Sequence, residues 1–257
     1  MANDIKLWQG DCLELMQVIP DKSIDMILCD LPYEKTRCNW DTIIPFEPLW
    51  EQYKRIIKDN GSIVLFGNEP FSSRLRMSNL MMYRYDWKWD KCTHSNPLLS
   101  KRQPLRIYED IMVFYKKQPS YNPQMTKGLP YKKDYNYKKH KNSITNITMI
   151  DKDNESGLRY PVNIIKFPMS RNNQKRLHPT QKPVALLEYL VKTYTNLGDV
   201  VLDNCMGSGS TGIACVNTNR KFIGIELDET YFNIAKQRIR EMKENELLDK
   251  GEEQNEG

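Results

Sequence analysis

The sequence has no apolar run long enough to cross a bilayer, and its N-terminus lacks the basic-then-apolar layout of a signal peptide. Both absences predict a cytosolic protein with no membrane partner. Paired cysteines are also lacking. The six present (Cys12, Cys29, Cys38, Cys92, Cys205 and Cys215) include no CxxC and no Cys/His spacing suited to a metal. Buried or strand-end thiols in a reducing compartment follow, and neither disulfides nor a metal site is implied. No internal repeat is present.

What is present suffices for one large domain, or one domain with an insertion, at 257 residues. Net charge is +5, unevenly spread. Residues 241–257 hold seven acidic side chains against Lys243 and Lys250, which leaves about +10 on the remaining body. A basic body with an acidic tail suits a polyanionic partner, as it also suits a merely soluble basic surface.

Residues 4–9 read as a short strand, followed by Gly10-Asp11-Cys12 and a helical turn. Ile24–Cys29 has strand length and composition, and Pro32 stops it. A polar loop, Glu34–Pro45, precedes a helix over 47–58 with Leu49, Trp50, Tyr53, Ile56 and Ile57 on one face. Asn60-Gly61 is expected to close that helix. Strand Ser62–Phe66 follows, then Gly67–Phe71 and a helix to about residue 81. Strands are predicted at Tyr83–Asp90 and Ile107–Lys116, around the Pro/Lys/Arg-rich loop Asn96–Arg106.

From 118 to 176 Pro, Asn, Tyr and Lys dominate, and this stretch reads as an insertion outside the sheet. The alternation then resumes with a helix over 183–196 opened by Pro183. Strand Val200–Asp203, a glycine-rich turn, a helix to about 218, strand Phe222–Glu226 and a helix over 229–247 complete it. Strand–helix alternation predicts parallel βαβ units and an α/β fold. The expected divisions are 1–117, the insertion 118–176, a second half 177–248 and an acidic tail 249–257.

Two stretches carry chemistry. In the unit over 200–218, Gly207, Gly209 and Gly212 let the backbone approach a ligand at the amino end of a helix. Glu226 ends the next strand, where an acid can accept hydrogen bonds from ribose hydroxyls. No Lys-Ser/Thr follows the glycines, which counts against a P-loop. Asp203 beside the turn would repel a pyrophosphate and suit a cationic amino-acid group. S-adenosylmethionine fits these charges better than NAD.

The second stretch is Asp30-Leu31-Pro32-Tyr33, at the carboxyl end of the strand Ile24–Cys29, where ligands of open α/β sheets bind. The exocyclic amino group of adenine or cytosine is a poor nucleophile because its lone pair is delocalised into the ring. Two acceptors aimed at its N–H bonds would localise that pair. The Asp30 carboxylate supplies one acceptor and the Leu31 carbonyl the other, while Pro32 stiffens the turn and Tyr33 offers a stacking face.

Together these pieces resemble the amino-group DNA methyltransferases (N6-adenine or N4-cytosine) of the permuted β group. The matching stretches are Gly10-Asp11-Cys12, Asp30–Tyr33, Gly67–Phe71, His178-Pro179-Thr180-Gln181-Lys182-Pro183, Asp203–Gly209 and Ile225-Glu226, in the group's order. The resemblance implies a Rossmann-like methyltransferase sheet, mostly parallel with one reversed hairpin strand, a circularly permuted motif order and an inserted target-recognition segment. It implies S-adenosylmethionine held by the turn Asp203, Asn204, Cys205, Gly207, Gly209, Ser210 and Thr211, with Glu226 on the ribose. Asp11, Cys12 and Phe71 are expected at its adenine, and Thr180 and Lys182 near its methionine end. Direct in-line displacement is implied, with no covalent enzyme intermediate.

One departure stands at Leu31, where the usual pattern has a first proline. Only a main-chain carbonyl is asked of that position. Aspartate at position 30 resembles the adenine enzymes more than the cytosine enzymes, so adenine N6 is favoured over cytosine N4. An RNA or protein-glutamine methyltransferase and a DNA-binding protein with a relict site are the further alternatives. Delivery of a stacked base implies base flipping of double-stranded DNA. Arg37 and Trp40 are candidates for a loop ordering over the flipped base. Lys132, Lys133, Lys138 and Lys139 are candidates for phosphate contact. A homodimer and a cognate endonuclease are partners the resemblance suggests.

Overall fold

The apolar stretches of the chain become strands of one sheet flanked by amphipathic helices, in a computed structural model describing residues 4–33, 43–132, 154–169 and 181–253. In chain order the first elements are β1 (Ile5–Gln9), α1 (Cys12–Leu15), β2 (Ile24–Cys29), α2 (Phe46–Ile56), β3 (Ile57–Gly67) and α3 (Phe71–Ser78). Next come β4 (Tyr83–Ser95), β5 (Arg106–Phe114), β6 (Thr126–Lys127), β7 (Leu158–Arg159) and β8 (Ile164–Lys166). The remainder is α4 (Val184–Tyr194), β9 (Val200–Asp203), α5 (Ser210–Asn217), β10 (Lys221–Glu226) and α6 (Glu229–Glu253).

Eight strands form the main sheet in the order β1-β10-β9-β2-β3-β5-β4-β8. From β1 to β3 every pairing is parallel. β5 runs antiparallel to both its neighbours, and β8 is parallel to β4. This is the expected mostly parallel sheet with one reversed strand. Alternate residues of β2 and β3 feed opposite faces. Met26, Leu28, Val64 and Phe66 pack with Leu187, Leu190, Val191 and Ile213 of α4 and α5. Ile27, Cys29, Ile63 and Leu65 pack with Trp50, Tyr53 and Leu75 of α2 and α3 on the other face. Among the described residues no helix is long and apolar enough to cross a membrane.

β2 and β9 are neighbours with Ile27 opposite Leu202, so residues 30 and 205 emerge side by side at their carboxyl ends. Chain order reverses across this pair, which opens the crevice where such sheets take ligands. The 175 positions separating Asp25 from Val200 are spanned by a hydrogen bond, Val200 N donating to Asp25 Oδ2 at 3.0 Å.

Three boundaries differ from those read in the sequence. Asn60-Gly61 does not cap α2, which ends at Ile56 as β3 begins. It lies where the β2/β3 register slips between Ile24↔Ile57 and Met26↔Ser62. A Cβ on Gly61 would meet the Ile57 side chain at 2.8 Å and the Asp25 carbonyl oxygen at 2.9 Å, so glycine is required by this close crossing. Second, Ile164–Lys166, assigned to an insertion outside the sheet, is the edge strand β8. Its Ile165 is buried, and Trp89 Nε1 donates to the nearby Phe167 carbonyl at 2.8 Å. Third, α6 continues to Glu253, into the acidic stretch, on good helix formers with an Arg240–Glu244 pair one turn apart.

Pro123–Val162 forms a separate compact unit. Within it β6 pairs antiparallel with β7, and the Arg159 guanidinium lies 5.3 Å from the Tyr131 ring centre.

Candidate active site

The carboxyl ends of β2, β9 and β10 border a cavity of about 300 Å³. Asp30, Leu31, Pro32 and Tyr33 line it after β2, and Asp203, Asn204, Cys205, Gly207, Ser210 and Thr211 line it after β9. Glu226 at the end of β10, Asp11, Cys12 and Lys182 complete the wall. Stretches far apart in the chain thus share one space.

The turn after β9 is organised by two buried carboxylates. Asp203 accepts from the Cys205 backbone N at 3.1 Å and from Thr211 Oγ1 at 2.6 Å. Burial pushes its carboxyl up to about 7, against those two hydrogen bonds. Glu226 accepts from Gly207 N at 2.7 Å and Asp228 N at 2.9 Å, and burial raises it too. Gly207 takes φ 51°, which brings its N–H to that carboxylate. Asn204 is buried between elements: its Oδ1 accepts from Tyr53 OH at 2.6 Å, and its Nδ2 lies 3.5 Å from both Cys12 Sγ and Cys205 Sγ. Asp11 caps α1 by accepting from Leu13 N at 2.7 Å, while Gly10 N donates to the Glu226 carbonyl at 2.9 Å.

Asp30 is held from the other side. Lys182, just before α4, donates to Asp30 Oδ2 at 2.5 Å and lies 3.4 Å from Glu109 Oε2. Its ammonium also sits 5.1 Å from the Phe66 ring centre and 6.0 Å from that of Trp89. Burial alone would lower the Lys182 pKa, but Asp30 and then Glu109 outweigh it and hold the ammonium firmly charged. The Asp30 charge, with burial behind it, raises the Tyr33 phenol far above its ordinary value, so that ring stays neutral.

Two sequence-expected residues stand elsewhere. Phe71 does not line the cavity; it opens α3 as a buried core ring, 5.2 Å from Tyr33 and 5.8 Å from Phe46. It therefore backs Tyr33. Gly209 does not line the cavity either: at φ 79°, a Cβ there would sit 2.8 Å from Ala235 Cβ of α6. Its bareness serves helix packing, as does that of Gly212 against Ile239 and Phe222. Lys182 lines the cavity, and the partner of its ammonium is Asp30. Arg37, Trp40, Lys133, Lys138, Lys139 and Thr180 lie outside the described residues; Lys132 is exposed at the end of a described stretch.

Sequence reasoning missed Glu109, Lys91 and Asn68. Glu109 accepts from Lys91 Nζ at 3.2 Å and is held well ionised: burial opposes that, but Lys182 and Lys91 prevail. Its signal was a carboxylate pair, Glu109-Asp110, in the middle of the strand and just before its apolar half. Asn68 lines the cavity beside Tyr33.

A family model described as DNA methylase, of the N6/N4 methyltransferase type, matches residues 24–237. The chain belongs to the N6/N4 DNA methylase family. It is similar to the Type II methyltransferase M.HinfI of Haemophilus influenzae, 27% identical over 265 residues, covering 92% of this chain and 68% of that protein. It is also similar to the DNA adenine methyltransferase YhdJ of Escherichia coli (strain K12), 29% identical over 247 residues, with coverage of 90% and 81%. The M1.HpyAVI–SAM complex is a structural neighbour at TM-score 0.62 and 26% identity, covering 91% of this chain and 98% of that one. As a member of this family the enzyme is a DNA methyltransferase that uses S-adenosylmethionine. The cavity fits that cofactor by its donor set: two buried carboxylates for hydroxyl or cationic groups, and a buried Ser210 Oγ with no hydrogen-bond partner among the described residues.

Proposed function

We propose that this chain methylates the N6 amino group of adenine in duplex DNA, at a specific site, after flipping the base out of the stack. The observation that carries the reading is the shared cavity in which Asp30, paired with Lys182, stands across from the glycine turn and Glu226. When bound, S-adenosylmethionine supplies an electrophilic methyl group for direct in-line displacement by the amino nitrogen. Asp203, Asn204, Cys205, Gly207, Ser210, Thr211 and Glu226 would hold it, Glu226 at the ribose hydroxyls.

The protein's own part is orientation and charge. An ionised Asp30 accepts one N–H of the amino group, and the Leu31 carbonyl accepts the other. Together they draw the nitrogen toward tetrahedral geometry and localise its lone pair. Leu31 is buried, so its side chain anchors the turn while its backbone does the accepting. Tyr33, neutral and backed by Phe71, offers its face to the base. Holding both reactants in line supplies much of the rate.

Adenine is favoured by aspartate at position 30 and by the adenine specificity in the name of the relative YhdJ. Lys132, Lys133, Lys138 and Lys139 contact phosphates, and Arg37 and Trp40 order over the flipped base. The Type II name of M.HinfI supports a cognate endonuclease, and the family resemblance supports a homodimer. Nucleoside mass spectrometry of duplex DNA incubated with enzyme and cofactor should find N6-methyladenine. Recovery of N4-methylcytosine alone would move the assignment to cytosine, and DNA left unmethylated would remove it.

A further inference from the structure

Behind Asp30 runs a row of alternating charges built from three separate parts of the chain. Asp30 meets Lys182 at 2.5 Å, Lys182 meets Glu109 at 3.4 Å, and Glu109 meets Lys91 at 3.2 Å. Their side chains are 20%, 8%, 12% and 10% exposed. Glu109 on β5 and Lys91 on β4 are not among the residues that line the cavity. Sequestering four charges is expensive, and a buried ion row adds little net stability over apolar packing. Its benefit has to be sought in what it does to Asp30.

The row sums to zero as it stands. Without Glu109 it would carry +1, next to a nitrogen that gains positive charge as it is alkylated, and Lys182 would commit wholly to Asp30. Without Lys91 it would carry −1 and favour a protonated Asp30, which accepts one hydrogen bond less readily. Among the described residues, the ionisable groups near Asp30 besides this row include Tyr33, Asp203 and Cys29. Burial holds Cys29 protonated, its thiol pushed up to about 12, and Tyr33 is neutral. Lys182 is faced by Asp30, Glu109 and Tyr33, with the Phe66 and Trp89 rings over its ammonium.

We propose that Glu109, neutralised by Lys91, is a positioning residue that shares Lys182 with Asp30 and so sets the pH above which Asp30 is an available acceptor. The inference rests on the methyltransferase reading above. Its test is the pH dependence of kcat for labelled methyl transfer to duplex DNA in Glu109→Gln, Lys91→Gln and the double variant. The acid limb should move down by about one pH unit in Glu109→Gln and up by a similar amount in Lys91→Gln. In the double variant, whose row is neutral again, it should return to the wild-type position. Glu109→Asp, which keeps the charge, should leave the limb in place even if kcat falls, and it serves should the double variant not fold. Cofactor KM should stay within about threefold in every variant, since neither residue lines the cavity. Limbs that stay fixed, or move the same way in both single variants, or move in Glu109→Asp, would overturn the proposal. A wild-type chain that methylates no DNA would instead overturn the reading on which it rests.

Discussion

Replacing Asp203 with Asn should stabilise the protein above pH 7 while weakening its hold on the cofactor. The carboxyl rises from 3.8 to about 7 in the fold, chiefly through burial. The folded state therefore keeps a proton that the unfolded chain releases between those values. For this group stability is fullest below pH 3.8, falls as pH rises through the window, and carries its whole penalty above 7. The interval converts to a ceiling of about 4 kcal/mol, and water in the adjoining cavity reduces the working figure to about 2 kcal/mol. Asn keeps an acceptor for Cys205 N but loses the one for Thr211 Oγ1, at about 1 kcal/mol. The variant should thus lie within about 1 kcal/mol of wild type at pH 5 and be about 1 kcal/mol more stable at pH 8.5. Urea unfolding followed by tryptophan fluorescence at both pH values measures this. Wild-type affinity for the cationic cofactor should climb with pH through about 7, by calorimetry. The variant should bind about tenfold more weakly with no such climb. A stability difference that does not change with pH would show that Asp203 carries no buried-proton penalty.

Four further perturbations are expected to separate the parts of the site. Asp30→Ala should lower kcat by at least about 100-fold in a methyl-transfer assay and leave cofactor affinity within threefold; normal turnover would sink the acceptor role. Glu226→Ala should raise the cofactor Kd by about tenfold or more, read by calorimetry, and an unchanged Kd would remove its ribose contact. Gly209→Ala should cost about 2–3 kcal/mol in urea unfolding, since it combines a left-handed φ with a 2.8 Å approach to Ala235. A stable Gly209→Ala protein that binds cofactor poorly would restore the ligand role read from the sequence. Replacing Lys132, Lys133, Lys138 and Lys139 by Ala should flatten the salt dependence of DNA affinity by up to about four units of slope, and an unmoved slope would clear them of phosphate contact.

The parts of the fold legible in the sequence are those whose signal is local. Ile24–Cys29 and Val200–Asp203 are short apolar runs stopped by turn residues, so both strands and the carboxylates at their ends could be placed. The reversed β5 came only with the family resemblance, because strand direction leaves no local trace. Glycines misled in a particular way. Gly207 meets the cavity and Gly209 meets Ala235, yet both are the same residue two positions apart. Asn60-Gly61 looks like a helix stop and is a strand irregularity, since the same bareness serves both. β8 was missed because three residues at a sheet edge bury only Ile165. The row behind Asp30 was out of reach for a different reason. Lys182 and Glu109 belong to unlike segments, and only the packing of β5 beside β3 brings them together.

The β2/β9 pairing bears on how the protein is made. Its halves leave the ribosome in sequence, and β2 must wait for β9, 175 positions later. At about 5–20 residues per second that delay is about 10–35 s. Throughout it the β9-facing edge of β2 has no neighbour to cover it, the condition in which nascent strands stick to one another. The wait also keeps the nascent chain inert. Asp30 is synthesised early, yet it has no opposing wall until Glu226 has been added, so modification of DNA begins only once nearly the whole sheet exists.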